Sequence, residues 1–208
     1  MDFRSYLLEE LDHIIHSPML KVENIPRVDL YMEQLLQFFE QEMDEVLLFE
    51  DREEKIFTKT MINNYAKEGA LPRPVNKRYG DTHMIMLTYI GLLKRILSIS
   101  EIKQFFNLVE DKKQLMPLYK TYTEMVDEYR VEYARLTEER LGRIERKLTD
   151  KGIEEDKLKA MTFISLMGLE AAVNQCICGK LIEMYTKEQD GQEKEKEKSK
   201  KGEDKKEC

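Results

Sequence analysis

The side chains best suited to grip another molecule lie between Thr58 and Tyr79, in the stretch TKTMINNYAKEGALPRPVNKRY. Lys59, Thr60, Asn63, Asn64 and Lys67 recur at spacings of one, three and four. On a helix of about 3.6 residues per turn this gathers them on one face. An asparagine amide both donates and accepts, so it can pair bidentately with the N6 and N7 edge of adenine; a lysine ammonium cannot. Lys59 and Lys67 suit phosphates. Arg73, Lys77 and Arg78 form a second basic group, matched to the sugar-phosphate backbone or the flanking minor groove. With Thr58 and Tyr79 at the two ends, these ten residues are expected to contact double-stranded DNA.

A face of lysine and asparagine is also the ordinary look of a solvated helix, so the surrounding charge matters. The chain has 208 residues and a formal net charge of -7. Residues 1–54 carry 15 acidic and 4 basic side chains, whereas residues 55–110 carry 9 basic and 4 acidic. Residues 111–186 hold 13 basic and 14 acidic, and residues 187–208 hold 8 of each. The whole positive surplus therefore surrounds the stretch above. Phosphate responds to such a local surface rather than to the total charge.

Other chemistry is sparse. His13, His16 and His83 are scattered, and no Ser-His-Asp set, glycine-rich phosphate loop or metal-spaced carboxylate group occurs. No catalytic residue, metal or cofactor is expected, and the protein is not expected to be an enzyme. Cys176 and Cys178 stand two apart, about 200° around a helix, too far to grip one metal; buried thiols are expected. With Cys208 they make no disulfide framework, and the opening MDFRSYLLEEL lacks the basic and apolar regions of a signal peptide. No apolar run of about 18 residues suggests a membrane span. A cytoplasmic location is expected.

The elements that must position these residues are helical. Hydrophobic residues make up 41% of the chain and charged residues 36%, with 9 Gly and 5 Pro, a mix that predicts an all-α protein. The pattern predicts helices over 3–15, from a cap at Asp29 to about Met43, and from a cap at Thr58 to a stop at Gly69. In the last of these, Met61, Ile62, Tyr65 and Ala66 face inward. VLLF (46–49), in an acidic stretch, could pack. PRPVNKRYG is too rich in proline to be helical and reads as a hairpin-like loop. Asp81 or Thr82 caps an apolar helix to about Leu97, and Ser98-Ile-Ser-Glu101 is a capping box opening a short one to Val109. Pro117 to Leu148 reads as one long coiled-coil-like helix, Thr149 to Gly152 as a turn, and 154–186 as an apolar helix that must be covered on most sides.

The order of helix, Gly-x-Leu-Pro turn, basic loop, tyrosine and two helices resembles the DNA-binding half of the mercury-resistance-regulator (MerR) family, a winged helix-turn-helix. The matching residues are Tyr65, Gly69, Leu71 and Pro72, then Tyr79 and Asp81. Asn63 stands where that pattern has arginine, and the linker from Glu42 to Lys55 is longer and more acidic. With VENIPRVDLYMEQLLQFFEQ upstream, the chain also resembles a bacterial family, the domain of unknown function 1836, over about residues 22–110. The resemblance implies a MerR-like winged-helix domain at 22–110 that acts as a transcription regulator. An N-terminal helix at 1–21 precedes it; a helical hairpin at 111–186 for dimerisation or ligand binding and a disordered charged tail at 187–208 follow. A homodimer through the C-terminal helices is expected, with no membrane partner and an effector left open. The alternative is a helical protein-interaction module of the same fold that reads no DNA.

Overall fold

The computed structural model describes residues 2–17, 19–42 and 55–203, with side chains as far as residue 188. The expected VLLF packing and most of the acidic linker lie outside the described residues. Those residues form seven α-helices and two short strands: α1 (Phe3–His16), β1 (Leu30–Tyr31), α2 (Met32–Glu42), α3 (Lys59–Glu68), β2 (Arg78–Tyr79), α4 (Asp81–Leu93), α5 (Ile99–Asn107), α6 (Leu115–Thr149) and α7 (Asp156–Glu203). The all-α class is observed.

α4 is the axis of the core. Met84, Ile85, Leu87 and Ile90 are buried on it, as its nearly continuous apolar sequence requires. Around it pack Leu35 and Phe39 of α2, Ile62 and Tyr65 of α3, Ile102 and Phe106 of α5, and Leu115 and Tyr119 of α6. Tyr89 joins the layers through edge contacts to Phe105 at 5.7 Å and Tyr119 at 5.5 Å. Tyr119 is fully buried, and its hydroxyl donates to the Leu20 carbonyl. That bond satisfies the one polar atom an aromatic core residue brings inside.

Two helix starts differ from the sequence reading. Asp29 does not cap α2. Leu30 and Tyr31 pair instead with Tyr79 and Arg78 as an antiparallel ribbon, and the Tyr31 N–H donates to Gln34 Oε1 at 2.9 Å. A two-residue strand is too short to leave a period of two in the sequence. α4 is capped by Gly80, not Asp81 or Thr82; the Gly80 N–H donates to His83 Nδ1 at 3.2 Å. α4 also ends at Leu93, short of Leu97, because Ser98 starts the next helix. The Ser98 N–H donates to Glu101 Oε2 at 2.8 Å and the Glu101 N–H returns to Ser98 Oγ at 3.3 Å, the expected capping box. The Ser98 hydroxyl, which donates to Glu101 Oε2 at 2.6 Å, and the Ser98 N–H together hold the Glu101 carboxyl below its ordinary range.

α6 begins two residues before Pro117, which a helix's first turn tolerates because its N–H groups have no intrahelical partner there. At Gly152 (φ 72°) the chain reverses, and α7 folds back along α6 with Arg140 and Glu170 paired at 2.5 Å. α7 also reaches α5's approach, where the Gln175 amide donates to the Ile96 carbonyl at 2.9 Å. The α7 backbone continues past 186 to Glu203, into the segment expected to be a disordered tail. Gln, Glu and Lys dominate that segment, and all three are strong helix formers. Contrary to the expected cover, α7 is largely open. Its segment Asp156–Glu188 is long and apolar enough to cross a membrane by length and composition, with 6% of its most apolar stretch buried. The two cysteines also differ from expectation: Cys176 is exposed and Cys178 half-buried against the core. Their 200° separation puts only one of them inward.

Candidate nucleic-acid interface

α3 is set by its caps. Thr58 Oγ1 accepts the Met61 N–H at 3.2 Å. At the other end Gly69 takes a left-handed φ of 78°, and the Ala70 N–H donates back to the Tyr65 carbonyl at 2.9 Å. Ile62 and Tyr65 are buried and Met61 and Ala66 half-buried, so the inward face is the expected one. Lys59, Thr60, Asn63, Asn64 and Lys67 are all exposed on the opposite side. Thr58 is exposed too, though its hydroxyl oxygen is engaged by the cap.

The loop after α3 turns back on itself. Asn76 and Lys77 both have positive φ, 51° and 61°, and the Arg78 N–H donates to the Val75 carbonyl at 2.9 Å. Two successive positive φ values make the tight turn whose twist suits a hairpin. Arg73, Lys77 and Arg78 are exposed, with Lys77 at the tip. Arg78 lies 5.0 Å from the centroid of the Tyr31 ring, and its Nη2 donates to the Tyr31 hydroxyl at 3.1 Å. Its guanidinium is thus held by a cation–π contact while remaining open to solvent.

Tyr79 has a different role from the one its place in the stretch suggests. It is 3% exposed, pairs with Leu30 and meets the His83 ring edge-on at 5.3 Å. It is an anchor for the loop, not a contact surface; burial pushes its phenol pKa up. His83 sits behind the loop, buried. Burial holds its imidazole below the ordinary 6.5, offset in part by the carbonyls of Arg73 and Pro72 and by the charges of Asp29 and Asp81. With Nδ1 accepting from Gly80, the proton of the neutral ring is on Nε2.

Three residues of this surface carried no signal in the sequence: Tyr31, which supports Arg78; Gln34, which fixes the strand; and Glu33, whose carboxylate lies 3.8 Å from the Lys59 ammonium. All three fall in a segment that reads as plain helix. The structure therefore brings nine of the ten expected contact residues to the surface on α3 and its hairpin, and withdraws Tyr79. Among the described residues no cluster of three metal-binding side chains occurs.

No curated protein and no solved structure matches this chain. One family does, over residues 20–125, which takes in the ribbon, α2 to α5 and the first eleven residues of α6. The match runs past residue 110 to include Leu115 and Tyr119, the part of α6 that the core contains. On a match across half its length, the chain belongs to the family described as Domain of unknown function (DUF1836).

Proposed function

We propose that this protein is a DNA-binding transcription regulator that lays α3 in a major groove and its hairpin along the adjacent backbone, in the manner of a MerR-like winged helix. The observation that carries this reading is the union of two exposed basic groups on one rigid frame. Lys59, Asn63, Asn64 and Lys67 stand on a capped helix, and Arg73, Lys77 and Arg78 on a hairpin tied to the same core. Asn63 and Asn64 would read base edges; the lysines and arginines would meet phosphates. The protein acts by binding, not by catalysis.

The regulator is a homodimer through α7. Leu166, Leu169, Val173, Ile177, Leu181 and Met184 follow one another at steps of three and four along one side of this helix, each 44–61% exposed. Self-pairing would remove on the order of 1,000 Å² of surface from water before flanking residues count, the size at which specific interfaces begin. A second copy suits the face better than a bilayer does. The same helix also carries the buried Phe163 and Ile182, the Arg140–Glu170 pair and the Gln175 bond, which fasten it to a polar body.

The test is selection of bound duplexes from a random pool by the full-length protein. The expected result is one enriched motif, lost in the triple variant Lys59→Ala, Asn63→Ala, Arg78→Ala. A parent protein that enriches no motif would favour the second reading, an interaction module, for which the open face of α7 is the specific support.

A further inference from the structure

A pocket of about 320 Å³ lies between α1 and α6. Ile14, Leu92, Tyr122, Val126, Tyr129 and Tyr133 supply most of its wall. Its volume is at the small end of the range for ligand sites, and its lining is the apolar and aromatic kind such sites have. Tyr129 and Tyr133 are stacked on each other at 6.1 Å, one turn apart on α6, and Tyr122 continues the aromatic wall to Tyr89 at 5.2 Å.

One member of the lining does not belong in an apolar wall. Arg130 is 8% exposed, and its guanidinium carries a positive charge. A guanidinium has five donors. Here one goes to the Ser17 carbonyl, and Nη2 has only the Met19 sulfur, at 4.0 Å. Among the described residues no carboxylate lies within ion-pair distance of it; the nearby Asp127 is taken by Lys21 at 3.2 Å. A buried charge is ordinarily paired, because leaving it unpaired costs several kcal/mol.

We propose that this pocket binds a small aromatic carboxylate, with the acid group on Arg130 and the ring against the α6 tyrosines. The planar fork of arginine matches a carboxylate with two parallel bonds, which a neutral group cannot reproduce. The tyrosine rings and Leu92 then bury the ligand's body. The site is separate from the α3 surface and stands whether or not that surface reads DNA.

The experiment is calorimetric titration of the full-length protein with benzoate, 3-phenylpropionate and indole-3-acetate, each beside its primary amide. At least one acid is expected to bind ten-fold or more tightly than its amide. Arg130→Met is expected to fold, since it removes an uncompensated charge, and to bind acid and amide alike. Tyr129→Ala, at the open rim, is expected to weaken both without changing their ratio. Should Arg130→Met fail to fold, Arg130→Lys serves, with the ratio reduced because the fork is lost. Equal binding of acid and amide, no binding by any of the three acids, or a ratio untouched by the Arg130 variants each overturns the assignment.

Discussion

At the scale of single residues, the α3 surface divides into groups that would tell sequences apart and groups that would not. Asn63 is exposed with its amide free to pair, whereas Lys77 offers only charge at the hairpin tip. On the proposed reading, Asn63→Ala costs about 1–3 kcal/mol on the selected site and little on random duplex. Lys77→Ala weakens both alike and lowers the log–log salt slope by about 0.9. Fluorescence anisotropy on the two duplexes across a salt series separates these outcomes; equal losses for both variants would remove the base-reading role of Asn63. His83 gives a second residue-scale expectation, on stability. Its folded pKa lies below 6.5, so the unfolded chain takes up the proton first as pH falls. Its contribution is whole above pH 6.5 and is lost as pH drops from there toward the folded value. Urea midpoints measured from pH 7.5 down to about 5, above the carboxylate range, should decline in the parent and stay flatter in His83→Gln.

At the scale of elements, what the sequence made legible was what short-range chemistry decides. Thr58 and Gly69 bound α3 because a hydroxyl and a missing Cβ act within a turn of themselves. The Ser98–Glu101 box and the Asn76-Lys77 hairpin are local in the same way. The ribbon of β1 with β2 was not legible, since Leu30 and Tyr31 owe their strand to partners almost fifty residues away. The exposure of α7 was missed for the opposite reason: apolar periodicity tells which face seeks cover, not whether this chain supplies it. The α3 stop can be tested directly. At Gly69 a Cβ would lie 3.4 Å from the Lys103 side chain, which can yield, so the left-handed φ of 78° is the main obstacle. Gly69→Ala should therefore lower stability by about 1–2 kcal/mol, read as a shift in the denaturation midpoint at constant slope.

At the scale of the whole molecule, the proposed dimer and the candidate interface use different helices that share α5: α7 lies along α6 and α5, while α3 packs on α5 and its hairpin on α4. Ile177→Glu, in the middle of the α7 stripe, should leave the fold intact because the residue is already half-exposed. Sedimentation should then move from twice 24.8 kDa to the single chain. A parent that sediments as one chain would end the dimer reading, and co-flotation of that monomer with phospholipid vesicles would point to the bilayer instead. The α1 helix has a place in this larger organisation that its position in the chain conceals. Its Phe3 ring meets Phe163 at 5.5 Å, its Phe3 N–H donates to Asp156, and Arg4 pairs with Glu145 at 2.7 Å. Every one of these partners is made more than a hundred residues later. At synthesis rates of about 5–20 residues per second, α1 waits on the order of ten seconds for the surface it covers. During that interval its apolar side is open, and it is closed by helices made much later in the chain.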